Sequence, residues 1–325
     1  MGRGFAVLIA VVSGCGDRTE LPAPTKQRGG ADGGTSDGVQ CELTQPTLLV
    51  QEGTVDEINN VQVMNGALYF TTTGGSSYTL WSVPLSGGQP TMISGDLITP
   101  AYAIGDGMVV YVRHDSNLWA VPLAGGTSSL FAHSIAGEYG PITALSIGFV
   151  TVDMAAIRMF DFSGNVTTVA MLPSEMIPSQ AFAMQGSAAY LGTGYGLWFL
   201  EDGTWGGVTL GNPVFALAVD STDVYFTVRL EWSAYAMVMP RGGTTPTQLI
   251  AADVAEGCVA IDAVNVYFGG GAALAGDVLV VDKVQRTVTQ VGSTPVHGWT
   301  TSIATDDKCI YWGTQVGELW GAPKP

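Results

Sequence analysis

Short apolar stretches alternate with polar turns along most of this chain, and the pattern repeats about every forty residues. Each repeat has an apolar stretch, a turn with Asp or Gly, an aromatic pair, a variable stretch, and a second apolar stretch before a glycine turn. Two clear copies read ALYFTTTGGSSYTLWSVPLSGGQPTMI at 67–93 and VVYVRHDSNLWAVPLAGGTSSLFA at 109–132. Four strand-like stretches in a repeat of this length are typical of a β-propeller. The pattern therefore predicts an all-β domain.

The copies can be aligned through the first residue of the aromatic pair, which we place in the second strand of each repeat. The alignment predicts seven four-stranded blades, numbered repeats 1 to 7 in chain order. Six or eight blades are alternatives, because the third copy is weak. The aligned residues are Tyr69, Tyr111, Thr151, Tyr190, Tyr225, Tyr267 and Tyr311.

Repeat 7 lacks a fourth strand, and the beginning of the domain offers a candidate for it. Repeat 7 finishes as ELWGAPKP at 318–325. Residues 45–52, QPTLLVQE, precede repeat 1 in the position where QPTMISGD at 89–96 precedes repeat 2. We therefore predict that residues 45–52 pair with the strand around Leu319 and Trp320 and close the ring. Closure would remove the exposed sheet edges of an open stack.

The composition supplies ample apolar material for a large core, with 46% apolar and 12% charged residues. The formal net charge is −16. Residues 1–40 carry four acidic and four basic side chains, so the net negative charge lies in the remaining 24 acidic and 8 basic ones. Such a surface repels phosphate backbones and anionic lipid headgroups. We expect no nucleic-acid partner, and membrane contact only through an N-terminal lipid.

The first residues have the pattern of an export signal. Arg3 precedes an apolar stretch at 5–12 that is too short to span a bilayer. The sequence VSGC at 12–15 resembles the lipobox of bacterial lipoproteins, in which the cysteine is lipid-modified and becomes the mature N-terminus. This resemblance implies lipid attachment at Cys15, and Gly16 in the next position favours the outer membrane. An ordinary signal peptide cut near the same point is the alternative.

The chain therefore divides into three predicted parts. Residues 1–15 are a lipoprotein-type signal peptide. Residues 16–40, rich in Gly, Asp, Thr and Pro, are a flexible tether. Residues 41–325 are a single β-propeller domain. The protein is expected to be exported to a bacterial cell envelope and anchored there by lipid.

Three cysteines remain after lipidation, so at most one disulfide bond can form within the chain. The start of a second strand and the start of a fourth strand lie at the same end of an antiparallel blade. This places Cys309 and the segment just before 45–52 together, whereas Cys258 belongs to the opposite end. We predict a disulfide bond between Cys41 and Cys309. Three unpaired thiols are the alternative.

The repeated aromatic pairs are predicted to pack between neighbouring sheets, since they recur at one structural position. Aspartates recur at the turn between the first and second strands, where a carboxylate can accept hydrogen bonds from backbone N–H groups. Isolated turn aspartates do not supply the converging oxygen ligands of a calcium site, so no metal site is predicted. These aspartates are Asp106, Asp220, Asp262 and Asp306.

Several catalytic and cofactor motifs are absent from the sequence. We find no His-Glu-x-x-His, Cys-x-x-Cys or glycine-rich phosphate loop, and we predict no catalytic residue and no cofactor. His114 beside Asp115 is a conceivable metal or general-base pair, although surface histidines usually have no such role.

The connections between second and third strands, and between repeats, are predicted to be longer and more varied than the other turns. Variable loops on a rigid scaffold commonly form binding sites, and exposed aromatic residues there offer contact area to proteins or sugars. Several of these aromatics could instead pack against their own loops. The candidate ligand-face residues are Tyr78, Tyr102, His114, Asp115, Tyr139, Tyr195, Trp232, Tyr235 and Trp299.

The motifs VYFTV, LYFTT and IYWGT resemble the Tyr-Trp-Thr-Asp repeats of low-density-lipoprotein-receptor-type propellers and their TolB-like relatives. Together with Leu-Trp-x-Val-Pro-Leu-x-Gly-Gly, they are also similar to exported lipoproteins of myxobacteria and related bacteria. The resemblance covers residues 45–325 and implies the propeller scaffold. The final Asp of the receptor motif is missing in this chain, and those relatives usually have six blades. No functional residue is carried over.

Three functions are compatible with this sequence. The leading hypothesis is a non-catalytic envelope scaffold that binds a protein or a polysaccharide. The second is a propeller-type glycan hydrolase or lyase, with carboxylates such as Asp115 or Glu231 acting as acid and base. The third is a structural subunit of an envelope complex.

Overall fold

The described part of the chain is entirely β-structure. In the computed structural model these residues form 27 strands and no helix, and every strand pairing is antiparallel. Within the same ranges no helix is long and apolar enough to cross a membrane. The all-β prediction is confirmed. The structure describes residues 43–51, 53, 55–75, 77–133, 140–174, 176, 178–230, 233–250, 254–270, 276–292 and 298–325.

Three of the sheets have four strands each, and the strands of each sheet are named in their spatial order. One contains β1 (Thr47–Val50), β27 (Leu319–Pro323), β26 (Cys309–Thr314) and β25 (Thr300–Thr305). Another contains β12 (Val166–Met171), β11 (Ala156–Asp161), β10 (Gly148–Val152) and β9 (Ile142–Leu145). The third contains β13 (Pro178–Gln185), β14 (Ala188–Thr193), β15 (Gly196–Glu201) and β16 (Thr204–Thr209).

The other two sheets are larger. The seven-stranded sheet contains β2 (Ile58–Met64), β3 (Ala67–Gly74), β4 (Ser77–Pro84), β5 (Thr91–Gly105), β6 (Met108–Arg113), β7 (Leu118–Pro122) and β8 (Ser129–Ala132). The eight-stranded sheet contains β17 (Val214–Val219), β18 (Asp223–Leu230), β19 (Ser233–Pro240), β20 (Thr247–Gln248), β21 (Val254–Ile261), β22 (Asn265–Gly270), β23 (Val278–Asp282) and β24 (Val288–Val291).

Each larger sheet joins two consecutive repeats. The long strand β5 pairs with β4 through its first half and with β6 through its second half, with register shifts between. In the eight-stranded sheet, β19 and β21 meet at one residue pair, Ala234 opposite Val254. The aligned residues of the seven sequence copies lie in β3, β6, β10, β14, β18, β22 and β26, the second strand of each repeat.

The strand pair predicted between the two ends of the domain is present. Strand β1 lies antiparallel to β27, with Thr47 opposite Gly321, Leu48 opposite Trp320 and a register shift before Val50. The fourth strand of this sheet therefore comes from the beginning of the domain.

The core of the described residues consists of seven hydrophobic clusters, and each cluster draws on two consecutive repeats or on repeats 7 and 1. The cluster between repeats 7 and 1 contains Leu49, Ile58, Phe70 and Tyr311. Burying an apolar side chain of this size stabilises the fold by roughly 1.5–3 kcal/mol. The sheets are thus held together mainly by side chains packed face to face.

The repeated aromatic pairs are part of these clusters, as predicted. Successive residues of a strand point to opposite faces, so the two members of a pair contact different neighbours. Tyr225 packs toward Val254 and Val259 of repeat 6, whereas Phe226 packs toward Ala181 and Ala183 of repeat 4. Both aromatic side chains are buried, and neither is available as a ligand platform.

The turn aspartates also behave largely as predicted. Asp220 Oδ1 accepts hydrogen bonds from the backbone N–H groups of Thr222 at 2.9 Å and Asp223 at 2.8 Å. Asp262 and Asp306 make the same pair of bonds in their own turns. Asp106 differs: it has a positive φ of 48° within a Gly-Asp-Gly turn.

Candidate functional site

Among the described residues, two aromatic side chains project into solvent at the end of the sheets where second strands turn into third strands. Tyr195 lies in the β14–β15 turn and is 73% exposed. Trp299 precedes β25 and is 55% exposed. The carbonyl of Trp299 accepts a hydrogen bond of 3.0 Å from the N–H of Gln315 in the β26–β27 turn, so Trp299 lies at the same end of its own sheet. We call this end of the sheets, marked by the β14–β15 and β26–β27 turns, the connection face.

Tyr102 does not belong to the connection face, and its prediction as a ligand residue was wrong. It lies inside β5, its side chain is fully buried, and its hydroxyl donates a 2.7 Å hydrogen bond to the carbonyl of Asn60. The segment that the sequence suggested to be a variable connection is instead a continuous strand. Tyr102 therefore joins repeats 1 and 2.

Tyr78 and Tyr235 are half-buried strand residues and do not lie in loops. Their hairpins stay paired almost to the turn, with Gly74 opposite Ser77 and Leu230 opposite Ser233. Burial raises the pKa of Tyr78, and the nearby Glu57 raises it further. The connections between these second and third strands are thus shorter than the sequence suggested.

Asp115 organises its own turn. Its carboxylate accepts hydrogen bonds from the N–H of Asn117 at 3.0 Å and from Nε1 of Trp119 at 3.1 Å. Desolvation alone would raise the pKa of Asp115, but these bonds and the nearby Arg113 hold it below its usual value. The Arg113 guanidinium in turn lies 4.2 Å from the centroid of the Trp119 ring.

This network leaves little support for a catalytic or metal-binding pair at His114 and Asp115. Both side chains are exposed, and the carboxylate is held ionised by structural donors. Throughout the described ranges, no group of three or more His, Cys, Asp or Glu side chains could hold a metal ion.

Several residues singled out from the sequence lie outside the described ranges, and their roles stay predictions. They are Cys15, Cys41, Tyr139, Glu231 and Trp232.

The cysteines inside the described ranges differ. Cys309, buried at the start of β26, is disulfide-bonded. Its pairing with Cys41 stays a prediction. Cys258 is buried in β21, with its Sγ 3.7 Å from the carbonyl oxygen of Thr300.

A cavity lies at the opposite end of the sheets from the connection face. It has a volume of about 1370 Å³ and is lined by the last residues of the first strands β2, β5, β9, β13, β21 and β25. Its charged lining consists of Asp106, Asp262, Asp306, Asp307 and Lys324.

Two of the cavity's carboxylates are already engaged in hydrogen bonds. Asp262 Oδ2 accepts from Lys324 Nζ at 2.6 Å and from the hydroxyl of Tyr267 at 2.5 Å. Asp306 Oδ2 accepts from the hydroxyl of Tyr311 at 2.9 Å. These contacts hold Asp262 and Asp306 in the turns between first and second strands.

A basic side chain directly after the third strand links repeats 5, 6 and 7 to the preceding repeat. Lys283 Nζ donates to Asp220 at 2.7 Å, and Lys324 Nζ donates to Asp262. Arg241 Nε lies 3.2 Å from Glu201 and 3.1 Å from the hydroxyl of Tyr190. We call these contacts the inter-repeat ion pairs.

The inter-repeat ion pairs affect the pKa values of their members. Desolvation would raise the pKa of Asp220 and of Asp262, but the bonds from Lys283 and Lys324 hold both values below the ordinary one. Burial and the hydrogen bond to Glu201 raise the pKa of Tyr190 to about 12.

The sequence reasoning missed these pairs, although a signal existed. The residue after the third strand is apolar in repeats 1 and 2 and basic in repeats 5, 6 and 7. In all five repeats its backbone N–H donates to a carbonyl of the turn between the first and second strands. The positions are Leu85, Leu123, Arg241, Lys283 and Lys324.

A second cavity, of about 420 Å³, lies beside Tyr195. The half-buried ring of Trp198 and the buried side chain of Met176 contribute its apolar surface. Its remaining lining is uncharged and consists of Thr193, Gly194, Gly196, Gly207, Val208 and Thr209. We call it the Tyr195 pocket.

No protein-family model matches the sequence, and the search of curated proteins also found no match. Solved structures do match. YCF48 bound to D1 peptide aligns with a TM-score of 0.66 at 14% identity, covering 87% of this chain and 100% of that chain. BamB from Moraxella catarrhalis aligns with a TM-score of 0.52 at 12% identity, covering 81% of this chain and 84% of that chain. The β-propeller domain of the Trilobed protease from Pyrococcus furiosus aligns with a TM-score of 0.60 at 11% identity, covering 82% of this chain and 95% of that chain.

These likenesses identify the fold. The chain has the repeated antiparallel sheets of a β-propeller and resembles propeller proteins over most of its length. At such low identities, the similarity extends to the fold alone.

Proposed function

We propose that this protein is a non-catalytic β-propeller that binds a protein partner through its connection face in a bacterial cell envelope. The observation that carries the proposal is the exposure of Tyr195 and Trp299 at equivalent ends of two different sheets. Large aromatic side chains contribute disproportionately to protein–protein binding energy. The turn that carries Tyr195 has only two residues between the paired Thr193 and Gly196, and so short a turn restrains the backbone and lowers the entropic cost of binding.

The scaffold in this proposal is a closed ring of seven blades. The core clusters support it, because they link each repeat to the next and also link repeat 7 to repeat 1. The pairing of β1 with β27 supports it further. The seven- and eight-stranded sheets would each be two adjacent blades joined at β5 and at the β19–β21 contact.

A protein partner is favoured over a polysaccharide. One propeller with a similar fold, YCF48, is described with a bound D1 peptide, which illustrates the use of such a scaffold for polypeptide recognition. Asp115 and Asp262, two carboxylates that a hydrolase could use, are both held in structural hydrogen bonds.

The placement in the envelope rests on the sequence. The signal-like segment at 1–15, the lipobox cysteine Cys15 and the tether at 16–40 together describe a lipid-anchored exported protein. Gly16 after the cysteine favours the outer membrane. The resemblance to exported lipoproteins of myxobacteria points in the same direction.

Affinity capture from detergent-solubilised envelopes of the producing organism tests the proposal. Three immobilised forms are compared: the unmodified protein, a Tyr195→Ser/Trp299→Ser variant, and a Val284→Ser control. Val284 is 90% exposed and lies in the β23–β24 turn, at the other end of the sheets. We expect a protein that is enriched on the unmodified and control forms and lost from the double variant. Equal capture by all three, or retention of glycan without protein, would contradict the proposal.

A further inference from the structure

The Tyr195 pocket has the size and chemistry of a binding site for a small uncharged group. Its volume of about 420 Å³ falls in the range of ordinary ligand sites, roughly 300–1000 Å³. No lining residue is charged at neutral pH, although the chain carries a formal charge of −16. Tyr195, Trp198 and Met176 provide the apolar surface. The occupant that fits this lining is an apolar, uncharged side chain or ring.

Strand β16 forms one wall of the pocket and has no side chain at Gly207, opposite Trp198. Gly207 lies opposite Trp198 in the β15–β16 pair, and a Cβ built on Gly207 would lie 3.1 Å from the Trp198 ring. The indole therefore packs against the glycine backbone, and Gly207 itself is exposed. Glycine within a strand commonly marks a place where another backbone approaches closely.

The backbone of β16 offers hydrogen-bonding groups beside the pocket. Among the strands of the described ranges, β16 is the outermost of its sheet and pairs with β15 alone. The N–H of Leu210 donates to the carbonyl of Tyr195, and hydrogen-bonded and non-hydrogen-bonded pairs alternate along antiparallel strands. In this register the N–H and C=O groups of Gly207 and Thr209 point away from β15.

Outward N–H and C=O groups of an edge strand are a template for another strand. An extended peptide matches them, because its own backbone donors and acceptors repeat at the same spacing and its alternate side chains can enter a pocket. A saccharide fits the aromatic ring but lacks this regular backbone spacing. The combination of an edge and a pocket therefore favours a peptide.

We propose that an extended segment of a partner protein pairs with the outer edge of β16 and inserts an uncharged apolar side chain into the Tyr195 pocket. This inference rests on the proposed protein-binding function and names the contact. Basic residues flanking the inserted side chain would complement the acidic domain, since 24 acidic and 8 basic side chains follow residue 40.

Short synthetic peptides test the chemistry of the site with the full-chain protein. The probe is an acetylated, amidated heptapeptide, Lys-Thr-Val-Xaa-Val-Thr-Lys, with Leu, Phe, Asp or Lys at the central position, and binding is measured by calorimetry. We expect the Leu and Phe peptides to bind about tenfold or more tightly than the Asp and Lys peptides. Backbone N-methylation of the Leu peptide at its pairing positions should weaken binding by about the same factor. Equal affinity across the panel, or no binding at all, would overturn the proposal.

Matched variants locate the contact. Tyr195→Ser should lower the affinity for the Leu peptide about tenfold. Thr209→Pro, which removes an outward N–H, should have a similar effect. Trp299→Ser removes a second exposed aromatic side chain of the connection face and should change the affinity by less than about twofold. Both aromatics are exposed, so neither serine variant threatens folding, and the N-methylated peptide replaces Thr209→Pro if that variant does not fold.

Two further outcomes separate this inference from the broader proposal. If the Tyr195→Ser and Trp299→Ser variants bind the Leu peptide with equal affinity, the Tyr195 pocket is not the peptide site. If partner capture is still lost in the double variant, the connection face remains the binding face. Binding of cellohexaose that is lost in Tyr195→Ser, with no peptide binding, would overturn the peptide assignment.

Discussion

Lys283 and Asp220 join two consecutive repeats: the Nζ of Lys283 lies 2.7 Å from Oδ2 of Asp220. The Lys283 side chain is 12% exposed and the Asp220 side chain 21%. The ammonium also lies 5.4 Å from the centroid of the Tyr225 ring and donates to the carbonyl of Asp262. One cation therefore contacts the turn of the preceding repeat and the turn of its own.

Removing this cation should destabilise the domain. We expect Lys283→Met to lower the free energy of unfolding by about 1–3 kcal/mol, because it leaves a partly buried carboxylate without its charged donor. Urea denaturation measures the change. Lys308→Met is the matched control, since Lys308 is exposed in the β25–β26 turn, and it should change stability by less than about 0.5 kcal/mol. Equal effects of the two substitutions would show that the inter-repeat contact contributes nothing.

The same ion pairs predict a dependence of stability on acidity. The pKa values of Asp220 and Asp262 are lower in the folded protein than in free aspartate. Their contribution is therefore complete above the unfolded value of about 3.9 and is lost as the pH falls through the depressed folded values. A Lys283→Met/Lys324→Met variant should show a shallower loss of stability below about pH 4. Parallel stability curves for the variant and the unmodified protein would refute this assignment.

Much of the fold can be predicted from the sequence because it depends on local periodicity. The aromatic pair of the second strand, the turn aspartates and the pairing of residues 45–52 with the strand at Trp320 all follow from comparing repeats. The buried environment of Tyr102 cannot be predicted in this way, because a long continuous strand and a variable connection have similar composition.

The inter-repeat ion pairs were equally hard to foresee. Their partners lie in different repeats, and Lys283 is 63 positions from Asp220 in the chain. Repeat alignment shows a basic residue after the third strand, but only the packing of neighbouring sheets shows which acid it reaches. The Tyr195 pocket depends likewise on Met176, which comes from outside the hairpin that carries Tyr195.

The β1–β27 pairing predicts unequal effects of two adjacent leucines. Leu49 is 5% exposed and packs in the cluster between repeats 7 and 1, whereas Leu48 is 38% exposed. Leu49→Ala should cost about 2–4 kcal/mol of stability, and Leu48→Ala less than about 1 kcal/mol. Deleting residues 41–52 should lower the melting temperature sharply. Unchanged melting after the deletion would rule out a structural role for the closing strand.

The disulfide prediction concerns Cys309 and Cys41. Peptide mapping under non-reducing conditions should recover the two cysteines in one linked fragment. In the chain-entropy model a bond enclosing so long a loop contributes roughly 5 kcal/mol, so Cys41→Ser should melt at a markedly lower temperature. Recovery of Cys309 linked to another cysteine would show that the pairing is wrong.

Site-specific photo-cross-linking in the producing organism tests the proposed binding face most directly. A photoreactive benzoylphenylalanine replaces Tyr195 in one strain and Val284 in another, so that each exposed end of the sheets carries the same probe. We expect a discrete protein adduct from position 195 and none from position 284. The same adducts from both positions, or no protein adduct from position 195, would show that the connection face does not bind a protein partner.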